Sequence, residues 1–405
     1  MFNKIDYEKI KSEAMYCMHC GLCRQVLPSE IKSDQFGELC PSGDRFRFEA
    51  YYAPGRCEVA RAVIGKEFAY EASPKLLHVM YTCTTCGACD ITCRYTTSFG
   101  KVQPVEIIEA LRAKLVEDGV GPLPKQKEWG LSIDTNNNPY FESHANRLNW
   151  LGSKSSAQNS DILYFVGCTS AYRTQDIASA TYDILNKAGM DVMISPEEYC
   201  CGSPLFRTGQ LDLAERVMNH NIEFIKESGI KKVVFSCAGC YSTFKKDYSK
   251  YYGPLDFEIK HISQVLMDLI ETRAIELKDL NLKVTYHDPC HLGRHCYPEP
   301  LYEEPRKVLT AIPSLQFEEM ERNRDETWCC GAGGGVKSAF PEFALSIAKK
   351  RLEEAAKNGA QAVISACPFC WNNFKDAVKA DNLEVQIYDL TQIIKMAMEK
   401  EEVSK

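Results

Sequence analysis

One cysteine arrangement occurs twice in the second half of this chain, and it rules out a fold built as a single simple core. Cys168 precedes the adjacent pair Cys200 and Cys201 by 31 residues, and Cys237 and Cys240 follow after 35 more, in the run SCAGC. The pattern then returns: Cys290 precedes Cys329 and Cys330 by 38 residues, and Cys367 and Cys370 follow after 36, in ACPFC. Positions 237 and 367, like 240 and 370, differ by 130, and 201 and 330 differ by 129. A repeat of that length is a pair of domains, because solenoid repeats are several-fold shorter.

Composition narrows the classes of function. The 405 residues suffice for two or three cores, and 45% hydrophobic with 25% charged residues is the globular average. A net charge of −7 argues against nucleic acid, since no basic stripe is available to displace counterions from phosphates. The opening run MFNKIDYEKIKSEAMYC has no apolar export region, and no later segment holds the roughly 20 apolar residues a membrane span requires. The twenty cysteines are therefore expected in the reducing cytosol, where clustered thiols signal metal or redox chemistry.

Residues 1–122 read as a small, mostly helical domain with two further cysteine runs. Cys17, Cys20 and Cys23 form the first, with Cys40 and Pro41 at a distance; Cys83, Cys86, Cys89 and Cys93 form the second. Three thiolates two residues apart wrap three corners of a cubane, and Gly21 and Gly87 allow the backbone to approach the sulfides. In two-cluster ferredoxins the distant cysteine serves the other cluster. That pattern assigns Cys17, Cys20, Cys23 and Cys93 to one [4Fe-4S] cluster and Cys83, Cys86, Cys89 and Cys40 to its neighbour. Arg94 departs from it, standing where a proline usually follows the last ligand. His19 lies within the first run but is expected to pack beside the cluster, because thiolate ligation is already complete.

After these runs Pro104 opens a helix with Ile108, Leu111 and Leu115 on one face, closed by Gly119. Residues 123–160 are polar and read as a linker, pinned to a surface by Trp129, Trp150 and Leu151. Two α/β units follow, at 161–280 and 281–405. In the first, strands at Ile162 to Val166, Val192 to Ile194 and Val233 to Phe235 alternate with helices at Ile177 to Leu185 and Leu211 to Ile225. In the second, Val284 to Tyr286 and Ala362 to Ile364 are strands and Phe343 to Ala356 the long helix. Phe244 matches Phe374, and Ser263-Gln264 matches Thr391-Gln392 ahead of the last helix.

Such alternation predicts Rossmann-like parallel sheets covered by helices. Ligands in that architecture sit beyond the carboxyl ends of strands, where every cysteine group of each unit falls. Five thiols should therefore converge per unit. Adjacent cysteines on extended backbone point apart, so both reach one centre only through a sharp turn, which Gly202 and Gly331 permit. Five thiolates exceed the needs of one cubane or one tetrahedral zinc.

The doubled pattern of Cys, CysCysGly and CysxxCys resembles the paired cysteine-rich domains of the heterodisulfide reductase catalytic subunit. HDPCHLGR at 287–294 and WCCGAGGG at 328–335 are typical of that wider family, and the fused two-cluster domain matches the single-polypeptide form. The resemblance implies that Cys168, Cys200, Cys201, Cys237 and Cys240 hold one noncubane [4Fe-4S] cluster. It implies a second at Cys290, Cys329, Cys330, Cys367 and Cys370, with a disulfide split between the two. Relatives that relay electrons for flavin dehydrogenases have often lost part of one set; this chain has lost none. Cys57 and Cys296 fit no motif and are expected to be packed thiols.

Splitting a disulfide takes two electrons, whereas each cluster exchanges one, so two facing centres suit the reaction. The product thiolates need protons, for which His287, His291 and His295 around Cys290 are candidates. No GxGxxG follows a strand, and GAGGG at 331–335 reads as backbone hugging a cluster, so electrons are expected from a partner. That partner would be a flavoprotein, a bifurcating subunit or a membrane cytochrome b, which could bring this cytoplasmic chain to the inner membrane face. A different class is an electron-transfer subunit linking a flavoprotein to a quinone or cytochrome, with no disulfide substrate. The plainest is a zinc-binding scaffold.

Overall fold

The computed structural model describes residues 3–27, 33–67, 70, 73–96, 102–157 and 159–399. Residues 1–2 and 400–405, the outer edges of the first and last expected units, lie outside that set. The N-terminal part is helical, with helices Tyr7–Met15, Pro41–Phe46, Ala53–Ile64, Pro74–Tyr81, Ala88–Thr96 and Pro104–Glu117. Their starts follow from local chemistry. Asp6 and Ser73 accept from the backbone N–H groups of Lys9 and Lys75, and proline opens four of them. Ile10, Ala60, Ile64, Met80, Ile107, Leu111 and Leu115 form their shared core.

The Pro104–Glu117 helix buries the predicted face of Ile108, Leu111 and Leu115. It also buries Arg112, which apolar periodicity does not anticipate.

The polar stretch at 123–160 is folded. It contains the helix Pro124–Asn136 and the 3-10 helix His144–Leu151. The first buries Gln126, Trp129, Gly130 and Ile133, a helical face that escapes a hydrophobic scan because two of its four members are not apolar. Trp129 donates to Ser338 Oγ at 3.2 Å, and Trp150 packs edge-on against Tyr164 and Tyr182.

Two parallel sheets follow. The first holds β1 (Ile162–Phe165), β2 (Lys232–Phe235) and β3 (Glu258–His261) in the order β1-β2-β3. The second holds β4 (Lys283–His287), β5 (Gln316–Phe317), β6 (Ala362–Ser365) and β7 (Gln386–Asp389) in the order β5-β4-β6-β7. Phe165 lies opposite Phe235, and His287 opposite Ser365, so central strands of both units end level with each other.

The expected strand at Val192 to Ile194 is reduced to one parallel bridge, Met193 to Leu163. It occupies beside β1 the place that two-residue β5 takes beside β4, so both units carry only a vestigial strand at that edge. β3, β5 and β7 have no counterpart in the sequence reading. They are short, partly exposed strands whose composition carries little apolar signal. The matched pairs Ser263-Gln264 and Thr391-Gln392 lie inside the first turn of the last helices, Ile262–Glu271 and Leu390–Glu399, and not ahead of them. There Gln264 and Gln392 accept from the N–H of His261 and Asp389 at 3.0 and 2.9 Å, the same cap in both units. Phe244 and Phe374 are both fully buried.

Candidate metal centres

The two N-terminal cysteine runs share a backbone shape. His19 and Thr85 each adopt a left-handed conformation, at φ 53° and 50°, and Gly21 and Gly87 follow at 77°. A left-handed residue without glycine is unfavourable, and its recurrence at the same point of both runs marks a loop held for a purpose. The turns lead successive cysteines around a common point. Cys40, Cys83, Cys86 and Cys89 line one cavity together with Arg56 and Gly87. Burial first, then the neighbouring Cys83 and Cys86 thiolates, pushes the Cys40 thiol up to about 12.

The Cys23 thiol is likewise raised, by burial and then by crowding from Cys40, Cys17, Cys20 and Cys93. The cysteines of both runs are therefore gathered in one region, with Cys23 nearest in charge to Cys40 of the other expected quartet. Cys20 is the exposed member. His19 stands outside its quartet, with Nε2 3.7 Å from the half-exposed Glu58 carboxylate.

In the second half, four of the six cysteine groups sit just beyond a strand end, Cys168 after β1, Cys237 after β2, Cys290 after β4 and Cys367 after β6; against expectation, the pairs Cys200–Cys201 and Cys329–Cys330 lie in loops ahead of helices, the strands before them being reduced to one bridge and to two-residue β5. Gly202 and Gly331 turn the chain at φ 81° and 87°. A Cβ at Gly331 would come within 2.5 Å of the Ala344 carbonyl, so only glycine fits. The same turns aim N–H groups at sulfur: Gly202 donates to Cys200 Sγ at 3.5 Å and Gly331 to Cys329 Sγ at 3.3 Å.

All ten thiols are buried and none is in a disulfide. They lie as one unbroken series of neighbouring thiols. Cys168 meets Cys200, then Cys201, Cys240 and Cys237. Cys237 crosses to Cys367, which continues through Cys370, Cys330 and Cys329 to Cys290. Cys201, Cys330 and Cys367 accept from Cys200, Cys329 and Cys237 and are held well below the ordinary thiol value. So many thiolates cannot ionise side by side without cationic charge among them, which is the condition iron supplies. An all-sulfur donor set fits iron–sulfur ligation, and five thiols per unit exceed the four a structural zinc uses.

The three candidate histidines lie at the second set. His287 Nδ1 accepts from Arg351 at 3.3 Å, and the ring borders Cys330 and Cys370. His295 Nε2 donates to the Thr85 carbonyl at 2.7 Å, and its ring stacks on His291 at 4.2 Å. His291 Nδ1 is 3.3 Å from Cys290 Sγ, and its Nε2 has no partner among the described residues. Burial depresses all three, His287 and His291 to about 3, so they are neutral imidazoles at neutral pH.

Cys57 and Cys296 are both buried. The Cys57 thiol pairs with Cys17, and Cys296 Sγ donates to the His291 carbonyl at 3.0 Å.

What sequence reading missed is how the cysteine loops are held. Arg112 donates to the Cys83 carbonyl at 2.7 Å, to Met80, and across domains to Arg207 and Gly334. His295 holds Thr85, and Arg294 donates to the Cys86 carbonyl at 2.9 Å. Three carbonyls of one ligand loop are thus fixed by residues from outside it. The glycine run closes over the same loop, for a Cβ at Gly334 would lie 2.5 Å from the Cys83 carbonyl. The result is a direct thiol contact between Cys86 and Cys329. In the first unit, buried Glu198 pairs with Arg147 and accepts from the Val166 and Gly167 N–H groups, both at 2.8 Å. Only a charged residue repeatedly out of place in an apolar pattern could have flagged these positions.

Comparison with known proteins agrees with the geometry. The 4Fe-4S dicluster domain family matches residues 13–96, and the cysteine-rich CCG domain family matches 162–245 and 284–375. The dihydromethanophenazine:CoB–CoM heterodisulfide reductase of Methanosarcina barkeri contains a polypeptide 36% identical to this one, over 94% of this chain and 93% of that protein. The chain belongs to the heterodisulfide reductase family. It joins a dicluster part to two cysteine-rich parts and is an iron–sulfur oxidoreductase.

The family borders on others. One component of the fumarate reductase (CoM/CoB) of Methanothermobacter marburgensis is 34% identical over 97% of this chain and 74% of its own length. The EtfAB:quinone oxidoreductase of Syntrophomonas wolfei is 29% identical over 79% of this chain and 46% of its own length. Among solved structures, a hypothetical protein from Helicobacter pylori superposes with TM-score 0.56 at 12% identity, covering 98% of this chain and 78% of that one. Among the described residues no helix is long and apolar enough to cross a membrane.

Proposed function

We propose that this chain cleaves, or in reverse forms, a disulfide of a small molecule at the seam between its two cysteine-rich units. The balanced step is RSSR′ + 2 e⁻ + 2 H⁺ → RSH + R′SH, with electrons from a redox partner: a flavoprotein, a bifurcating subunit or a membrane cytochrome. The observation that carries the reading is the Cys237–Cys367 contact, which brings the two five-thiol sets within reach of one disulfide. We assign Cys168, Cys200, Cys201, Cys237 and Cys240 to one noncubane cluster and Cys290, Cys329, Cys330, Cys367 and Cys370 to another. Cys17, Cys20, Cys23 and Cys93, and Cys83, Cys86, Cys89 and Cys40, serve two cubane clusters. When bound, these groups supply electrons singly and offer iron to sulfur. The corresponding units are 1–122, a folded connection at 123–160, then 161–280 and 281–405, and the chain works in the cytoplasm.

The protein's own residues do the remaining work. Arg112, Arg294 and His295 hold the Cys83–Cys86 loop against the second unit, which would set the ligands of a bound cubane cluster beside those of the second five-thiol set at Cys86 and Cys329. Among the three histidines, His291 has the free ring nitrogen, stands 3.3 Å from Cys290 Sγ and feels the charge of thiols in both sets, Cys367 and Cys201. Neutral at rest, it can relay a proton to a departing sulfur, passing one on from one ring nitrogen as the other receives one. His287 and His295, already bonded, hold positions around it.

The test is anaerobic. Oxidised holoprotein given a thiol should develop a new paramagnetic signal, and reduced holoprotein should turn over a disulfide. His291→Asn should depress turnover across pH 6 to 8; unchanged turnover removes His291 from the reaction. The likeness to EtfAB:quinone oxidoreductase supports a second reading, a relay from a flavoprotein to a quinone without a disulfide. Absence of both the thiol signal and disulfide turnover, with every donor, selects it.

A further inference from the structure

Eight arginines are buried among the described residues, and they divide by partner. Five face carboxylates: Arg147 pairs with Glu198, Arg207 with Glu109 and Asp247, Arg306 with Asp288 and Glu319, and Arg322 and Arg351 share Glu354. The other three, Arg56, Arg112 and Arg294, have no ion pair among the described residues. Their hydrogen bonds go to carbonyls and hydroxyls alone.

All three stand at one cysteine set. Arg56 lines the cavity of Cys40, Cys83, Cys86 and Cys89, and its Nη1 donates to the Tyr51 carbonyl, the same oxygen that lies 3.9 Å from Cys40 Sγ. Arg112 donates to the Cys83 carbonyl at 2.7 Å and Arg294 to the Cys86 carbonyl at 2.9 Å. They reach the set from three separate elements, the helices Ala53–Ile64 and Pro104–Glu117 and the 3-10 turn Arg294–Cys296. Arg294 also keeps Nη2 buried with no acceptor among the described residues. The acid within that cysteine run, Asp90, accepts from the Val105 N–H at 2.9 Å and pairs with none of the three.

A buried cation is costly unless an anion answers it, and backbone dipoles do not neutralise three. Four thiolates and the iron–sulfur group they hold are net negative, and reduction adds to that charge. The other quartet differs. Around Cys17, Cys20 and Cys23 the cations are already answered on partly exposed surface, Arg24 by Glu49 and His19 by Glu58. Arg94, beside Cys93, is only partly buried and lies over the Tyr297 ring at 3.7 Å.

We propose that Arg56, Arg112 and Arg294 are the counter-cations of the group held by Cys40, Cys83, Cys86 and Cys89, making it the more easily reduced of the two N-terminal centres. Burial alone would make that group the harder one to reduce, and the three fixed charges reverse the order. The change they favour is the gain of one electron, supplied by the redox partner, with no proton. The quartet so favoured is the one that meets the second cysteine-rich unit, at Cys86 and Cys329. This rests on the assignment of the two quartets and not on the disulfide reading.

The test reads potentials, by low-temperature paramagnetic resonance during a stepwise reductive titration of anaerobic holoprotein. Cys40→Ala, or Cys83→Ala where the first fails to fold, marks which cubane signal belongs to the quartet. In wild type that signal should appear at a higher potential than its neighbour. Arg56→Gln keeps hydrogen-bond donors and loses the charge; it should disfavour reduction of the marked signal about tenfold, which is about 59 mV for one electron. Arg56→Lys should keep most of the wild-type potential, and Arg294→Gln should shift the signal in the same direction as Arg56→Gln. A marked signal that appears after its neighbour in wild type overturns the proposal. So does one that Arg56→Gln and Arg294→Gln leave in place, or that Arg56→Lys shifts as far as Arg56→Gln. If neither cysteine variant changes a cubane signal, the quartet assignment falls and takes the proposal with it, while the disulfide reading stands.

Discussion

Cys237, in the first cysteine-rich unit, and Cys367, in the second, meet thiol to thiol. They stand 130 residues apart, at matching turns of the repeat, and each follows the central strand of its own sheet. The contact therefore lies where the two cysteine-rich units meet.

Removing a seam ligand should remove one cluster and spare the rest. Cys237→Ala is expected to lower iron from about sixteen to about twelve per chain. The ferredoxin-type signals should persist, as read by metal analysis and low-temperature paramagnetic resonance.

The glycine run is expected to be intolerant of a single methyl group. At Gly334, φ is +62° and an added Cβ would stand 2.5 Å from the Cys83 carbonyl. Gly334→Ala should cost roughly 1–3 kcal/mol of stability in chemical denaturation. It should also slow reduction of the second unit in stopped-flow mixing, because the Cys86–Cys329 contact loosens.

Arg112 satisfies the carbonyls of four residues from a fully buried position. Arg112→Ala leaves them unpaired and should destabilise the holoprotein by roughly 3–5 kcal/mol. Arg112→Lys, with charge but without the fork, should fall between that and wild type.

Asp389 yields a pH dependence with a definite sign. Burial raises its carboxyl from 3.8 to about 7, against stabilising bonds from Thr391. Between those values the folded state holds a proton that the unfolded state has lost. Stability from this group is therefore full below about pH 4 and falls as pH rises towards 7. Asp389→Asn should flatten that slope when denaturation midpoints at pH 5 and 7.5 are compared.

Cys57 and Cys296 are packed thiols in this structure, paired with Cys17 and with the His291 carbonyl. Alanine at either position is expected to leave iron content unchanged. Loss of four irons from either variant would move that residue into a ligand set.

The cluster cysteines, the duplication, the long helices and the central strands were legible because each rests on local pattern. Thiolate spacing, hydrophobic period and a repeat offset are all properties of neighbours in sequence. The edge strands were not legible: β3 and β7 are four residues long and half-exposed. The helix at 124–136 was hidden because its inward face includes Gln126 and Gly130.

The sequence by itself determined which residues could bind metal, that the chain carries two equivalent units, and that its thiols belong to iron–sulfur chemistry. Spacing along a chain is enough for that, since ligand loops are short. Only the tertiary structure decided that Cys237 meets Cys367, that Cys86 meets Cys329, and that Arg112 and Arg294 hold the ligand loop. Those contacts join residues far apart along the chain, where no periodicity records proximity and only the packing of three units brings the groups into reach.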